Sequence, residues 1–397
     1  MKSIKNISRR SFVKSIGLAS GGLILACNTS VFSEKEKAPE NLINFNPNLF
    51  VQLNSDGSVI LIASRSEMGN GVRTSLPSVI ADEMEADWSK ITVQQAVGDK
   101  KYGDQNTDGS RSIRYLYEPM RKMGAIAKAM LIAAAAQKWE VPASECLAEN
   151  HFIVHTSGKK IGFGDLVEIA KTLEIPSDEN LTYKDPKDFK YIGKNLKGVD
   201  VTAYANGSAI FGLDKRLPNM KFVAIARCPV TFGTVKSFDK TRALIIPGVI
   251  DVIEIPRIKK PFGALGGVAV IATNTWAAFK GKEALKIDWD FGDNNVYDSE
   301  KYMNQITENV HQPGKVGKDT GNINKAFKNA DKTIESTFQL PHLAHAPMEV
   351  PNAVAWVQGD TCEVWAPTQD PQSARKEVTD YLETTEDKVT INVTFLG

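Results

Sequence analysis

The sequence predicts an α+β protein, in which a few helices accompany several short strands. Short apolar runs rich in valine and isoleucine, typical of strands, occur at residues 222–226, 249–253 and 267–271. One long segment, residues 120–139, repeats its apolar residues at the spacing of a helix with one buried face. Strand-like runs dominate residues 201–290, where a single helical piece follows them, and this favours a small α+β domain.

Length, charge and cysteine content limit the class of protein. The chain has 397 residues, which is too long for one ordinary core and suits two or three domains. Its 48 basic and 47 acidic residues nearly balance, so no surface for nucleic acid is predicted. Cys27, Cys146, Cys228 and Cys362 form no Cys-x-x-Cys pair and therefore carry neither an iron–sulfur nor a zinc signature. One disulfide stays open as an alternative.

The first 27 residues have the pattern of an export signal. Lysines and the pair Arg9 and Arg10 precede an apolar stretch, residues 16–26, that is shorter than the roughly 20 residues of a membrane-spanning helix. The segment Ser-Arg-Arg-Ser-Phe-Val-Lys resembles the twin-arginine consensus, and the approach to Cys27 resembles a lipobox. We therefore expect export to the periplasm by the twin-arginine route and a lipid anchor on Cys27, with residues 28–44 as a linker. The alternative is a plain apolar anchor with a chance arginine pair.

Residues 45–175 are predicted to form the first domain. Two strand-like runs flank the turn Asn-Ser-Asp-Gly, which is a strong hairpin signal. The predicted elements are strands at 49–53, 58–62 and 91–95, helices at 73–85 and 120–139, and an irregular segment at 102–114. Residues 176–197, with two prolines and many charges, are predicted to be a linker.

A second domain at residues 198–290 and a connection at 291–332 precede the last segment, residues 333–397. The second domain has predicted strands at 222–226, 243–246, 249–253 and 267–271, and a helix at 276–285. The last segment has predicted strands at 333–339, 353–357, 362–366 and 388–394, and a helix at 372–383. The chain stops at Gly397 directly after an apolar strand whose uncovered edge would invite aggregation, so we expect this segment to be incomplete.

Two glycine-containing motifs have the composition of anion sites. Residues 67–71, Glu-Met-Gly-Asn-Gly, lie between a predicted strand and a predicted helix. Glycines there let the backbone approach a ligand, and a helix start offers N–H groups to phosphate. Residues 107–112, Thr-Asp-Gly-Ser-Arg-Ser, combine hydroxyls with a guanidinium, which suits a pyrophosphate. Taken alone, the first motif favours a tight turn without a ligand, and the second favours a solvated loop.

The segment around His342 and His345 contains metal-ligand types without predicting a metal site. With Glu349 it supplies the set His, His and Glu. The prolines within residues 341–351 prevent a helix, so the two histidines cannot share a helical face. Neither a Ser/His/Asp order nor a Gly-Lys-Ser/Thr phosphate loop occurs.

In combination, the motifs resemble one family. Within residues 45–140, the words Glu-Met-Gly-Asn-Gly, Val-Arg-Thr-Ser-Leu-Pro and Gly-Ser-Arg-Ser are similar to the front of a molybdopterin-binding subunit. Such subunits occur in the isoquinoline 1-oxidoreductase branch of the xanthine dehydrogenase/aldehyde oxidase family. Residues 198–290 resemble the family's α/β hammerhead domain in the words Leu-Pro-Asn-Met, Arg-Cys-Pro, Pro-Gly-Val and Gly-Gly-Val-Ala. Residues 345–349 and 365–371 resemble the start of its first molybdenum-cofactor domain.

The resemblance implies a fold and a reaction. The hammerhead domain would be flanked by parts of molybdenum-cofactor-binding α+β domains. Enzymes of this family insert oxygen from water into a C–H bond of an N-heterocycle or an aldehyde. The implied cofactor is the molybdenum–pterin cytosine dinucleotide or a related molybdopterin. Electrons would pass to iron–sulfur clusters on a small [2Fe–2S] partner subunit, with a cytochrome c as acceptor.

The resemblance also assigns residues to the cofactor, namely Gly69, Asn70, Gly71, Ser110, Arg111, His345, Gln369 and Gly397. Asn70 stands where the family usually has Gln, and it keeps the amide donor with one methylene less. Ser110 and Arg111 would lie near the pterin phosphates. Gly397 would be the first glycine of a Gly-Gly-Phe-Gly turn beside the metal.

Two departures from the family's pattern concern the chemistry. The family's catalytic base is a glutamate near the C-terminus of the full-length subunit, and no residue of this chain matches it. Glu349 is therefore predicted to be structural. Leu343 stands where many relatives carry Gln, which puts a hydrogen bond on the molybdenum side in doubt.

Two readings of the function remain. In the first, the chain is the N-terminal part of the large subunit of a molybdenum hydroxylase and is inactive alone. In the second, it is a non-catalytic exported binding lipoprotein built from the same domains. The twin-arginine route carries folded proteins, and a pterin made in the cytoplasm must be buried before export, so the signal favours the cofactor enzyme.

Overall fold

The computed structural model of the protein describes residues 44–260 and 263–397. The predicted signal, with Arg9, Arg10 and Cys27, lies outside the described residues. Among the helices that are described, none combines the length and the apolar character needed to cross a membrane. The chain divides into two compact units, one containing the described residues up to Lys215 together with Pro347–Gly397, the other Arg216–Ala346. Both units mix helices and strands, so the predicted α+β class is confirmed.

The first unit begins with a four-stranded sheet on which two helices pack. The elements are β1 (Asn44–Asn48), β2 (Val51–Asn54), β3 (Val59–Ala63), α1 (Val72–Met84), β4 (Ile91–Gln95) and α2 (Arg111–Trp139). β1, β2 and β3 pair antiparallel, whereas β3 and β4 are parallel. The predicted hairpin is confirmed, since the Asn54 N–H donates to the Ser58 carbonyl at 2.9 Å. Buried side chains such as Leu61, Ile80 and Leu131 form the core between sheet and helices.

Helix α2 begins at Arg111, so the prediction of an irregular segment up to residue 114 was wrong at its end. The residues before the helix, Gly109 and Ser110, have left-handed φ values of 51° and 54° and end the loop there. Pro119 lies inside the helix. Because proline usually ends or kinks a helix, the sequence placed the helix start only after it.

The next part of the first unit is a small antiparallel sheet with short helices. The elements are β5 (Cys146–Glu149), β6 (Phe152–His155), β7 (Lys160–Gly162), α3 (Val167–Ala170) and α4 (Val201–Asn206). The strands pair in the order β5-β6-β7. Cys146 is a free, buried thiol, and burial raises its pKa.

Residues 176–197, predicted to be a linker, pack against α1. The buried Asp82 carboxylate accepts backbone N–H groups from Lys190, Tyr191 and Ile192, and the Lys184 ammonium donates to it at 2.7 Å. We call residues 176–197 the strap. Its charges suggested a solvated linker, but Lys184 pairs with the buried Asp82 and both Lys184 and Lys190 pair with Glu85, which a sequence pattern does not reveal.

The second unit contains two antiparallel sheets. The elements are β8 (Phe222–Ala226), β9 (Thr234–Asp239), α5 (Thr241–Leu244), β10 (Val249–Ile255), β11 (Gly267–Ala272), α6 (Thr275–Ala284), β12 (Lys286–Asp290), α7 (Ser299–Val310) and α8 (Ile323–Lys328). One sheet has the order β10-β11-β8, and the other pairs β12 with β9. Cys228 is a free thiol in this unit.

Three predictions for this unit were wrong. Residues 243–246 do not form a strand, because the Asp239 carboxylate accepts the Thr241 N–H and starts the helical turn α5. Residues 333–339 form no strand. Their side chains are exposed, and among the described residues no strand pairs with them. The connection at 291–332 contains α7 and α8. The sequence did not predict these helices because their surfaces are polar.

The carboxyl-terminal part of the first unit is a three-stranded sheet with one helix. The elements are β13 (Val354–Gln358), β14 (Thr361–Ala366), α9 (Pro371–Tyr381) and β15 (Val389–Val393). β13 and β14 are antiparallel, and β14 and β15 are parallel. Cys362 is a free thiol that packs with Val364 and Ile391 against α9.

The expectation of an uncovered strand at residues 388–394 was wrong. Val389, Ile391 and Val393 are buried. The outer edge of β15 is also paired, since the Gly98 N–H donates to the Ile391 carbonyl at 3.0 Å. The covering loop lies far away in the sequence, so a local pattern could not show it.

Candidate functional site

Two pairs of parallel strands, β3–β4 and β14–β15, direct their carboxyl ends to one region of the first unit. The segments that follow these strands are residues 64–71, 96–107, 367–370 and 394–397. Ser66 Oγ donates to the Thr368 carbonyl at 2.7 Å. The Thr107 N–H donates to the Gln369 carbonyl at 3.0 Å, and the Leu396 N–H to the Glu67 carbonyl at 3.2 Å. The four segments therefore form one connected edge, a position where α/β sheets commonly bind ligands.

The Glu-Met-Gly-Asn-Gly turn is organised by its own glutamate. The Glu67 carboxylate is buried, and its Oε1 accepts the N–H groups of Gly69 and Gly71, each at 2.9 Å. Its Oε2 accepts the Arg73 N–H at 3.1 Å, while Asn70 Oδ1 accepts the Val72 N–H at 3.3 Å. The backbone N–H groups at the start of α1 thus donate to a carboxylate of the same segment. A negative charge is favourable at a helix N-terminus, where N–H groups lack partners within the helix. These N–H groups are therefore not available to a phosphate, contrary to the expectation from the sequence.

The two glycines of this turn leave an open face. Gly69 and Gly71 have left-handed φ values of 88° and 73°. A Cβ built on either would meet no atom within 4 Å. Asn70 between them is exposed. The backbone can therefore be approached closely by a flat ligand at a point where a side chain would intrude.

The second motif is tied to the first and to the carboxyl-terminal segment. Thr107 is buried, and its Oγ1 accepts the Ser66 N–H at 2.9 Å. Gln369 Nε2 donates to the Thr107 carbonyl at 2.6 Å. Gln369, which was assigned to the cofactor from the resemblance, thus also holds the loop that leads to Ser110. Ser110 itself begins α2 without a side-chain cap bond.

Arg111 is held by two carboxylates. Its guanidinium donates to Asp108 Oδ1, through Nε at 2.6 Å, and Nη1 lies 3.8 Å from Asp104 Oδ2. The hydrogen bond to Asp108 raises the pKa of Arg111, and together with the charges of Asp108 and Asp104 it outweighs the opposite effect of burial. Arg111 therefore stays cationic and is positioned before any ligand binds.

Arg73 lies in the same region, although it is not among the residues that the sequence predicts for the cofactor site. It is buried, and its guanidinium pairs with Asp200 through Nε at 2.8 Å and Nη2 at 3.2 Å. It also donates to Gln95 Oε1 at 3.3 Å and lies 5.4 Å from the centre of the Phe395 ring. Arg73 therefore links α1 to β4 and to the end of the chain. The motif Val-Arg-Thr-Ser-Leu-Pro contains Arg73 but does not reveal this role, because the partners of Arg73 are distant in sequence.

The remaining assigned residues fall in different places. Gly397 lies against Glu349, whose Oε1 accepts the Leu213 N–H at 2.7 Å. His345 belongs to the second unit and is exposed. Seven of the eight residues assigned to the cofactor thus lie in the first unit, and only His345 does not. In the described ranges, no group of three or more His, Cys, Asp or Glu residues could hold a metal ion.

Comparisons with known proteins point to one family. Residues 4–212 and residues 303–397 each match a family described as a molybdopterin cofactor-binding domain. The beta chain of isoquinoline 1-oxidoreductase from Brevundimonas diminuta is 25% identical, with 98% of this chain and 55% of that protein covered. The membrane-bound aldehyde dehydrogenase [pyrroloquinoline-quinone] of Gluconacetobacter polyoxogenes is 28% identical, with coverages of 89% and 46%.

A third relative matches a shorter part of the chain. The nicotinate dehydrogenase large molybdopterin subunit of Eubacterium barkeri is 24% identical, with 52% of this chain and 54% of that protein covered. The chain therefore spans about half the length of these relatives.

Proposed function

The chain belongs to the molybdopterin cofactor-binding domain family, and we propose that it is part of the molybdopterin-binding subunit of a molybdenum hydroxylase. The family predicted from the motifs is thereby confirmed. The proposed enzyme oxidises an N-heterocycle or an aldehyde with water as the oxygen source. Its cofactor, the molybdenum–pterin cytosine dinucleotide or a related molybdopterin, supplies the oxygen-transfer and electron-transfer chemistry. The observation that supports this most is the meeting of the predicted motifs at one edge of the first unit.

The residues at this edge fit a flat, polar cofactor that carries phosphate. Gly69 and Gly71 present an open backbone face, and the exposed Asn70 offers an amide. Ser110 and the fixed cation Arg111 lie at the start of α2. In the proposal, the glycine turn binds the pterin plane, Ser110 and Arg111 orient the phosphate, and Gln369 keeps the two loops together. In the proposal, Glu349 is structural and is not the catalytic base, since its Oε1 accepts the Leu213 N–H.

The proposed enzyme has partner proteins that carry electrons. Two relatives carry names of parts of larger enzymes. The cysteines of this chain form no cluster motif. We therefore propose a small [2Fe–2S] subunit that receives the electrons and a cytochrome c beyond it.

The proposed location is the periplasm, with a lipid anchor in the membrane. The twin-arginine segment with Arg9 and Arg10 would direct the folded protein to the periplasm, and Cys27 would anchor it to the membrane by a lipid. Replacing both arginines by lysine should keep the protein in the cytoplasm, whereas Cys27→Ser should release it from the membrane fraction. Export of the double-lysine variant at the normal level would contradict this part.

The cofactor proposal is tested by measuring bound pterin. The full chain is produced in a host that makes molybdopterin, and released pterin is measured by fluorescence and molybdenum by mass spectrometry. Gly69→Ala places a methyl group on the open face and should lower the pterin content strongly. Gly158→Ala is the matched control, because Gly158 has the same φ of 88°, is exposed and also meets no atom within 4 Å.

The control separates backbone strain from loss of the binding face. Both variants place alanine in the left-handed region, so both should lose similar stability. Pterin content that is equal in the two variants would contradict the assignment of the turn. A wild-type chain that holds no pterin would contradict the proposed function itself.

A further inference from the structure

Arg65 is a fully buried arginine two residues before Glu67, the first residue of the Glu-Met-Gly turn. The residue is 0% exposed and follows β3. Its guanidinium donates one hydrogen bond, from Nη2 to Asp104 Oδ2 at 3.2 Å. In the part of the chain that the structure describes, no group accepts a hydrogen bond from Nε or Nη1, and both atoms are shielded from solvent. Buried donors without an acceptor are rare because they are costly, so these two nitrogens point to a further acceptor.

Asp104 is an anion held between two guanidinium groups. The oxygen that accepts from Arg65, Oδ2, lies 3.8 Å from Arg111 Nη1. Burial acts to raise the pKa of Asp104, but the Asn106 N–H and the charges of Arg65 and Arg111 outweigh it and lower the pKa. The carboxylate is therefore ionised at neutral pH. Its Oδ2 marks a point where two cations already hold an anionic oxygen.

The fork of Arg65 is used at only one of its nitrogens. A guanidinium binds an oxyanion best through two adjacent nitrogens. A phosphoryl group has further oxygens that can bind a second cation. A phosphoryl group at the position of Asp104 Oδ2 would engage Nη2 together with Nε or Nη1 of Arg65. It would also lie beside Arg111, which the Asp104 oxygen approaches only at 3.8 Å.

We propose that Arg65 and Arg111 form a receptor for a phosphoryl group, and that Asp104 is the internal anion that this group displaces. The inference rests on the proposed function, in which the phosphoryl group belongs to the pterin cofactor, although a free phosphate ion has the same chemistry. Displacement is feasible because the Asp104 side chain is 48% exposed. The released carboxylate moves into water, whereas the buried guanidinium keeps an anionic partner.

The receptor is placed where the two predicted motifs meet. Arg65 precedes the turn at residues 67–71, and Arg111 ends the loop that starts at Thr107. The hydrogen bond between Ser66 and Thr107, at 2.9 Å, fixes these two segments to each other. The two cations therefore lie on a framework that does not depend on the ligand.

Calorimetric titration of the full chain without cofactor tests the receptor. Pyrophosphate and inorganic phosphate are the probes, at low ionic strength. Arg65→Gln should weaken pyrophosphate binding about tenfold or more, the loss expected for a charged hydrogen bond. Asp104→Asn should tighten it, because the competing anion is removed. Arg114→Gln is the matched control, since Arg114 is an exposed arginine one turn further along α2 and should bind as the wild type does.

Each of three titration results would overturn the inference: a wild-type chain that binds neither probe, an Arg65→Gln variant that binds like the wild type, or weaker binding by Asp104→Asn. The gain expected for Asp104→Asn cannot arise from misfolding. Pterin content separates this inference from the proposed function. Equal pterin in the wild type and Arg65→Gln overturns the receptor and leaves the function standing. A chain without pterin whose pyrophosphate binding still depends on Arg65 supports a receptor for free phosphate and overturns the function.

Discussion

Asp82 on α1 anchors the strap, residues 176–197, and its loss should destabilise the first unit. The carboxylate is fully buried and accepts the N–H groups of Lys190, Tyr191 and Ile192 at distances of 2.8 to 3.1 Å. The Lys184 ammonium donates to it at 2.7 Å. Asp82→Asn keeps the shape of the side chain. It removes the charge and turns one acceptor atom into a donor that faces these N–H groups.

The expected loss follows from these contacts. Breaking a buried ion pair from one side typically costs about 3–5 kcal/mol, and a buried N–H without an acceptor costs about 1–3 kcal/mol. Two features reduce the loss. The asparagine oxygen still accepts from part of the strap, and Lys184 keeps Glu85 as a partner at 2.6 Å. We therefore expect Asp82→Asn to lower the free energy of unfolding by about 3 kcal/mol.

Urea unfolding followed by circular dichroism measures this difference. The control is Asp178→Asn, because the Asp178 side chain is 70% exposed where it pairs with Lys122 at 2.6 Å. A surface pair of this kind contributes about 0–1 kcal/mol. A loss below about 1 kcal/mol for Asp82→Asn, or equal losses in the two variants, would refute the reasoning.

The same carboxylate predicts a pH dependence. Burial acts to raise the pKa of Asp82, but the Ile192 N–H and the Lys184 ammonium outweigh it and lower the pKa below the ordinary value of 3.8. A group whose pKa is lowered by folding stabilises the protein above its unfolded pKa, and that contribution disappears as the pH falls. Stability should therefore decline in acid, and the decline should be shallower in Asp82→Asn.

Two further predictions concern other buried contacts of the first unit. His151 accepts the Asp87 N–H at Nδ1, its Nε2 lies 2.8 Å from the Gly57 carbonyl, and burial is the main cause that lowers its pKa below 6.5. Stability should consequently fall as the pH drops below about 6.5, and thermal denaturation of His151→Gln should show a flatter pH profile in that range. Gly98→Ala would place a Cβ 2.5 Å from the Pro371 carbonyl oxygen, so thermal unfolding should report a loss of about 1–3 kcal/mol, and an unchanged midpoint would contradict the close packing.

The local elements could be predicted because neighbouring residues determine them. The strand at residues 91–95 and the strand at 222–226 have the predicted bounds. The hairpin around residues 54–57 forms because its turn chemistry and its flanking apolar runs are all local. The amphipathic part of α2 was likewise visible as a helical period.

The errors arose where partners distant in sequence decide the structure. Residues 333–339 have the composition of a strand, but pairing needs a neighbouring strand, which the composition does not supply. The edge of β15 is covered by Gly98, whose N–H donates to Ile391 across almost 300 residues of sequence. The strap has the charge of a linker, yet Asp82 on α1 holds it.

The sequence alone determined the family and the motifs of the candidate site, because short motifs such as Glu-Met-Gly-Asn-Gly identify the family by their order along the chain. Only the tertiary structure decided what those motifs offer to a ligand. It showed that Glu67 takes the N–H groups at the start of α1. It also showed that Arg65 is buried, that its Nη2 donates to Asp104, and that its Nε and Nη1 have no acceptor among the described residues. Burial and hydrogen-bond partners depend on segments that meet only after folding, and no pattern along the chain records them.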